Sequence, residues 1–137
     1  LRYINFLLSR RRHFPSFPNP HIRSNAFMLK KAQMQEFAAK HKLPKAKHEA
    51  QHLESGHEGL SRFIEAKGLG LSLCGADGSG YLTSSWPESG IFCCPEQPNL
   101  LIADNVTRDY THRTEKMKRE LELMFWGRIL APYGDEP

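Results

Sequence analysis

His48-Glu49-Ala50-Gln51-His52 satisfies the pattern H-E-x-x-H. In that pattern two neutral imidazoles one helical turn apart share a zinc ion and the glutamate between them acts as base. A helix is predicted over this stretch, so His48 and His52 fall on one face. A catalytic zinc also needs a third protein ligand and an open position for water. The search for that ligand decides how the motif is read.

The pattern resembles that of the metzincin peptidases only in its first five residues. Ser55 stands where that family has glycine, and Glu58 where it has its third histidine. His57 comes one residue early, about 140° around a helix from His52, on what reads as an apolar stripe. Glu58 and Glu65 are supported as substitutes by position alone. Zincin folds place a substrate-binding sheet before this helix, whereas the 47 residues that precede the motif read as a basic, proline-broken arm and one helix. The flanks, "PKAKHEAQHLESG", are strongly polar. The expectation is a charged solvent face with no metal, no cofactor and no catalysis, and a zinc-dependent hydrolase is the last of three readings.

Other reactive groups are sparser. Cys74, Cys93 and Cys94 lack C-x-x-C spacing, and an odd count with two adjacent members makes no disulfide framework; buried reduced thiols are expected. "GADGSG" lacks the Lys-Ser/Thr of a phosphate loop and is read as a tight turn. Ser84, Ser85 and His112 have no spacing that requires a nucleophile and base.

The strongest signal is charge. The chain of 137 residues carries a net +4, but residues 1–47 hold eleven Lys/Arg against Glu36 alone, and residues 48–137 hold eight against fourteen acids. Such a split implies a basic segment meeting a polyanion or an acidic partner. The first 35 residues contain no acid and combine arginines and serines with an apolar start, which resembles a mitochondrial import sequence. Pro15, Pro18 and Pro20 preclude regular helix there and favour an extended path. The residues expected to contact phosphates are Arg10, Arg11, Arg12, Arg23, Lys30, Lys31, Lys42, Lys45 and Lys47.

The elements that position these groups are mostly helical. Ser24 and Asn25 read as caps of a first helix ending before Pro44. A second helix is predicted from Lys45 to Lys67, its stripe running Ala46, Ala50, Leu53, His57, Leu60, Ile64. Residues 68–105 are rich in glycine and read as short strands or irregular loop. A last helix is predicted from Val106 to Leu130, with Val106, Tyr110, Met117, Leu121 and Met124 inward and Glu115–Arg119 and Lys118–Glu122 pairing outside. The fold class is therefore mainly α: about three amphipathic helices, a short Gly-rich irregular or β segment, and an extended basic N-terminal arm. An arm over 1–23 and a single small helical domain over 24–137 are the expected division.

Near-average hydrophobic (39%) and charged (25%) fractions argue against wholesale disorder. No apolar run approaches the ~18 residues of a membrane span. The whole implies a structural, non-catalytic subunit of a large assembly in the mitochondrial matrix, not a free monomer. Among such assemblies the mitochondrial ribosome fits best, its proteins joining compact bodies to basic extensions, with ribosomal RNA and neighbouring subunits as partners. The alternative is an accessory subunit of a respiratory-chain or ATP-synthase complex, its arm on anionic lipid headgroups or acidic protein.

Overall fold

The computed structural model describes residues 12–130. Its elements are mainly helical with one small sheet: α1 (Lys31–Lys40), α2 (Lys47–Ser55), α3 (Leu60–Ala66), β1 (Ser72–Cys74), β2 (Gly80–Leu82), a 3-10 turn (Thr83–Ser85), α4 (Asn105–His112) and α5 (Glu115–Trp126). The chain separates into two compact units, Leu1–Leu71 and Ser72–Pro137, each described by itself.

In the first unit α3 packs against both α1 and α2. Phe37, Leu60 and Ile64 are almost wholly buried, and the Phe37 ring lies between Phe63 (centroids 5.3 Å apart) and a stacked His41 (4.2 Å). Burying side chains of this size contributes roughly 1.5–3 kcal/mol each. The predicted first helix begins later than expected. Ser24 and Asn25 do not cap it: the N-cap is Lys30, without a side-chain hydrogen bond, and the Ser24 N–H is drawn to Glu54 Oε1 at 2.7 Å. Phe27 lies outside the helix and is exposed.

The single helix predicted over 45–67 is two helices. α2 ends at Gly56, whose extended backbone (ψ 168°) turns the chain, and α3 restarts from Gly59. The turn is closed by Gly59 N–H on Gly56 O, and His57 N–H is taken by His13 O from the preceding segment. A Cβ on Gly59 would lie 2.7 Å from Leu53 O and 2.8 Å from His52 O, both rigid backbone. Propensity alone would have Gly59→Ala stabilise a helix by about 1 kcal/mol. The turn reverses that sign: the substitution is expected to cost roughly 1–3 kcal/mol through the forced shift, read as a lower thermal midpoint by circular dichroism. A raised midpoint would mean a continuous helix.

In the second unit β1 and β2 pair antiparallel, with Leu73 opposite Tyr81. Gly78, at φ +78°, makes the connecting turn, and Asp77 Oδ1 accepts the Ser79 N–H. "GIFCC" and "NLLIA" form no strand.

The last predicted helix is also two. Asp104 caps α4 reciprocally with Thr107: Thr107 N–H donates to Asp104 Oδ1 (2.8 Å) and Asp104 N–H donates to Thr107 Oγ1 (2.7 Å). Thr114 caps α5, accepting from Met117 N–H, and Gly127 at φ +71° ends it. The break at 113–114 resets the helical phase, so Glu122 is fully buried and Met124 is exposed. Lys118 pairs with Glu115 at 3.1 Å.

Candidate nucleic-acid interface

Of the expected phosphate contacts, Arg10 and Arg11 lie outside the described residues. Arg12 and His13 are helical; from Phe14 the proline-containing segment runs along the first unit without regular structure and is tied to it by backbone and side-chain hydrogen bonds. His13 O accepts the His57 N–H, Asn19 Nδ2 donates to Ser55 O, Arg62 NH2 donates to Pro20 O, and the Ile22 N–H donates to Ser61 Oγ. Ser61 is buried and in turn donates to Glu54 O at 2.6 Å. Proline removes a donor wherever it stands, so a chain of this composition cannot hold itself by a ladder; the helices supply the donors and acceptors instead.

This docking fixes where the basic side chains emerge. Arg12, Lys30, Lys31, Lys42, Lys45 and Lys47 are all exposed and Arg23 is half-buried. Among the described residues no ion pair involves Lys30, Lys31, Lys42, Lys45 or Lys47. Four of the five acids in the same unit are engaged elsewhere, Glu54 by the Ser24 N–H and Glu49 by two backbone N–H groups. Glu36 binds Lys67 at 2.6 Å and Lys40 at 3.7 Å, and the Lys67 contact holds its carboxyl below the usual range. Glu65 pairs with Arg62 at 2.8 Å. The unit Leu1–Leu71 holds thirteen Lys/Arg against five acids, whereas Ser72–Pro137 holds six against ten. Charge thus segregates by unit, and the surplus cations of the first face water.

The H-E-x-x-H residues lie on α2 as predicted, but each has a local role. Glu49 Oε2 accepts the backbone N–H of Lys45 (2.6 Å) and of Ala46 (3.1 Å), the hydrogen bonds of a helix start. Those donors, Lys45 first, hold its carboxyl below the ordinary glutamate value. His48 is exposed. The half-buried His52 ring packs against Phe14 (centroids 4.7 Å) and edge-on against His13 (5.0 Å). Among the described residues no three or more His, Cys, Asp or Glu side chains gather closely enough to hold a metal ion. His57, expected inside an apolar stripe, is exposed because the turn at 56–59 takes it off the helix.

A grouping that spacing along the chain did not reveal is the histidines themselves. Six of the seven fall between residues 13 and 57, and four of them line one cleft of about 410 Å³. Their density in sequence was the available signal; the fold of the arm onto α2 was needed to see the cleft.

The second unit carries buried polar groups rather than surface charge. Gln97, at φ +44°, accepts the Cys93 N–H at 3.1 Å and donates to Thr107 O and Thr111 Oγ1. Trp126 Nε1 donates to Cys93 O at 2.9 Å, and Phe92 meets both Phe125 and Trp126 edge-on. Cys93 and Cys94 are buried as expected, but Cys74 is exposed on β1. Burial, with a smaller contribution from Glu122, pushes the Cys94 thiol up to about 11. It stays protonated near neutral pH, and a thiol is a weak nucleophile in that form.

Among the described residues no helix is long and apolar enough to cross a membrane. Compared with protein-family models, with curated proteins and with solved structures, the chain matches none.

Proposed function

We propose that this protein is a structural, non-catalytic subunit of a large mitochondrial assembly, and that its N-terminal unit lies against ribosomal RNA in the mitochondrial ribosome. One observation carries the reading. Five lysines without an ion pair among the described residues stand exposed on a unit in which four of the five acids are engaged elsewhere. Each phosphate such a cation neutralises releases condensed counterions, which is the main source of affinity for nucleic acid. The docked path of residues 12–24 supports the reading further, because cations on a pinned segment lose less entropy on binding than cations on a free tail.

The second unit supports a different neighbour. It is acidic, and Leu82, Leu101, Ile102 and Met124 are each more than half exposed, which suits contact with protein subunits. The same feature favours the rival reading, an accessory subunit of a respiratory-chain or ATP-synthase complex. Sedimentation of the native protein from detergent-solubilised mitochondria separates the two. Migration with ribosomal particles that collapses on RNase treatment is expected. Migration with a membrane complex, indifferent to RNase, would favour the rival.

A further inference from the structure

We propose that the histidine-lined cleft of the N-terminal unit is a phosphate-binding site, and that its occupant is a phosphodiester of the RNA strand. The choice of RNA as the source rests on the proposed ribosomal role; the phosphate chemistry rests on the cleft alone.

The cleft holds about 410 Å³, room for one phosphate group and its flanking sugar atoms rather than for a single ion. Its basic wall is Arg12, His13, His41, Lys42, His52 and His57, contributed by the docked arm, the end of α1, α2 and the turn after it. The carboxylates that face them are Glu49 and Glu58. Of the two carboxylates, Glu49 opposes an anion weakly, because it already accepts two backbone N–H groups at the start of α2. The guanidinium of Arg12, the ammonium of Lys42 and the imidazole N–H groups supply donors for phosphate oxygens.

Much of this wall is held in place before any ligand arrives. His41 is stacked on the buried Phe37, His52 packs against Phe14 and His13, and the backbone of His13 is bonded to that of His57. Preorganised donors cost little on binding. Arg12 adds a planar fork that binds phosphate oxygens in pairs.

The test uses the full chain and two probes, inorganic pyrophosphate and a ten-nucleotide single-stranded RNA, at pH 6. The imidazole NMR signals of His13, His41, His52 and His57 are expected to shift on adding pyrophosphate at pH 6, while that of the distant-in-sequence His112 does not. Arg12→Ala/Lys42→Ala, which alters two exposed side chains, should abolish the shift and weaken RNA binding roughly tenfold, the loss of two phosphate contacts. Absence of any pyrophosphate shift overturns the site. RNA binding that is unchanged in the double variant but lost when Lys30, Lys31, Lys45 and Lys47 are replaced overturns the cleft and leaves the RNA-contacting reading standing. A pyrophosphate response without RNA binding overturns RNA as the occupant, together with the reading it rests on.

Discussion

Replacing Lys30, Lys31, Lys45 and Lys47 together by alanine is expected to weaken binding to single-stranded RNA by several hundredfold at about 0.1 M salt. None of the four lies in the histidine-lined cleft, all are exposed, and none has an ion pair among the described residues. Their removal therefore subtracts phosphate contacts without leaving buried groups unpaired, and the thermal midpoint should hardly change. For single strands the logarithm of the binding constant falls with the logarithm of salt by about 0.7 for each phosphate neutralised. Four lost contacts should thus flatten the salt dependence by about three units, a signature that simple misfolding would not produce. A filter-binding series from 50 to 400 mM salt gives both quantities. Equal affinity and equal slope for the variant and the parent would mean that these lysines are a solvated face and nothing more.

That face was legible in the sequence because it depends on composition, and composition survives any folding. The five lysines expected to contact phosphates are exposed. The mainly helical class was legible for a similar reason: the apolar repeat around Phe37, Leu60, Ile64 and Tyr110 specifies buried faces, and all four are buried. What failed was continuity. Both long helices were predicted across positions where a local interaction outweighs the periodic pattern. At 56–59 the break comes from glycines packed against the carbonyls of α2, and at 113–114 from a threonine that captures the Met117 N–H. Each break changes the phase of the helix beyond it. That is why His57 is exposed instead of buried, and why Glu122, assigned to a surface ion pair, is in the core. The histidine cleft was illegible on different grounds. Its wall combines residues 12–13, 41–42 and 49–58, and only the docking of the arm onto α2 joins the first group to the last.

Glu122→Ala should be the most destabilising single change in the C-terminal unit, costing about 3 kcal/mol or more. Glu122 is wholly buried on α5, where Oε1 accepts the hydroxyl of the equally buried Tyr110 at 2.6 Å and Oε2 accepts the Leu130 N–H at 2.7 Å. The first of these bonds links α5 to α4, and the second holds the chain beyond Gly127. A hydrogen bond to a charged acceptor is worth about 1.5–3 kcal/mol, and a buried hydroxyl left without one pays its full desolvation cost. Truncation at Glu122 therefore takes a charged acceptor from two donors and opens a void. Tyr110→Phe removes the donor itself and should cost only about 1–2 kcal/mol. In a double-mutant cycle the losses should be clearly less than additive, by at least about 1 kcal/mol, because Tyr110→Phe removes one of those two donors. The readout is direct: both tryptophans, Trp86 and Trp126, lie in this unit, so intrinsic fluorescence during urea unfolding follows its transition. An unchanged midpoint in Glu122→Ala would place this carboxylate in water. Strict additivity with Tyr110→Phe would mean that the two side chains do not touch, and that the joint between α4 and α5 is made by apolar packing alone.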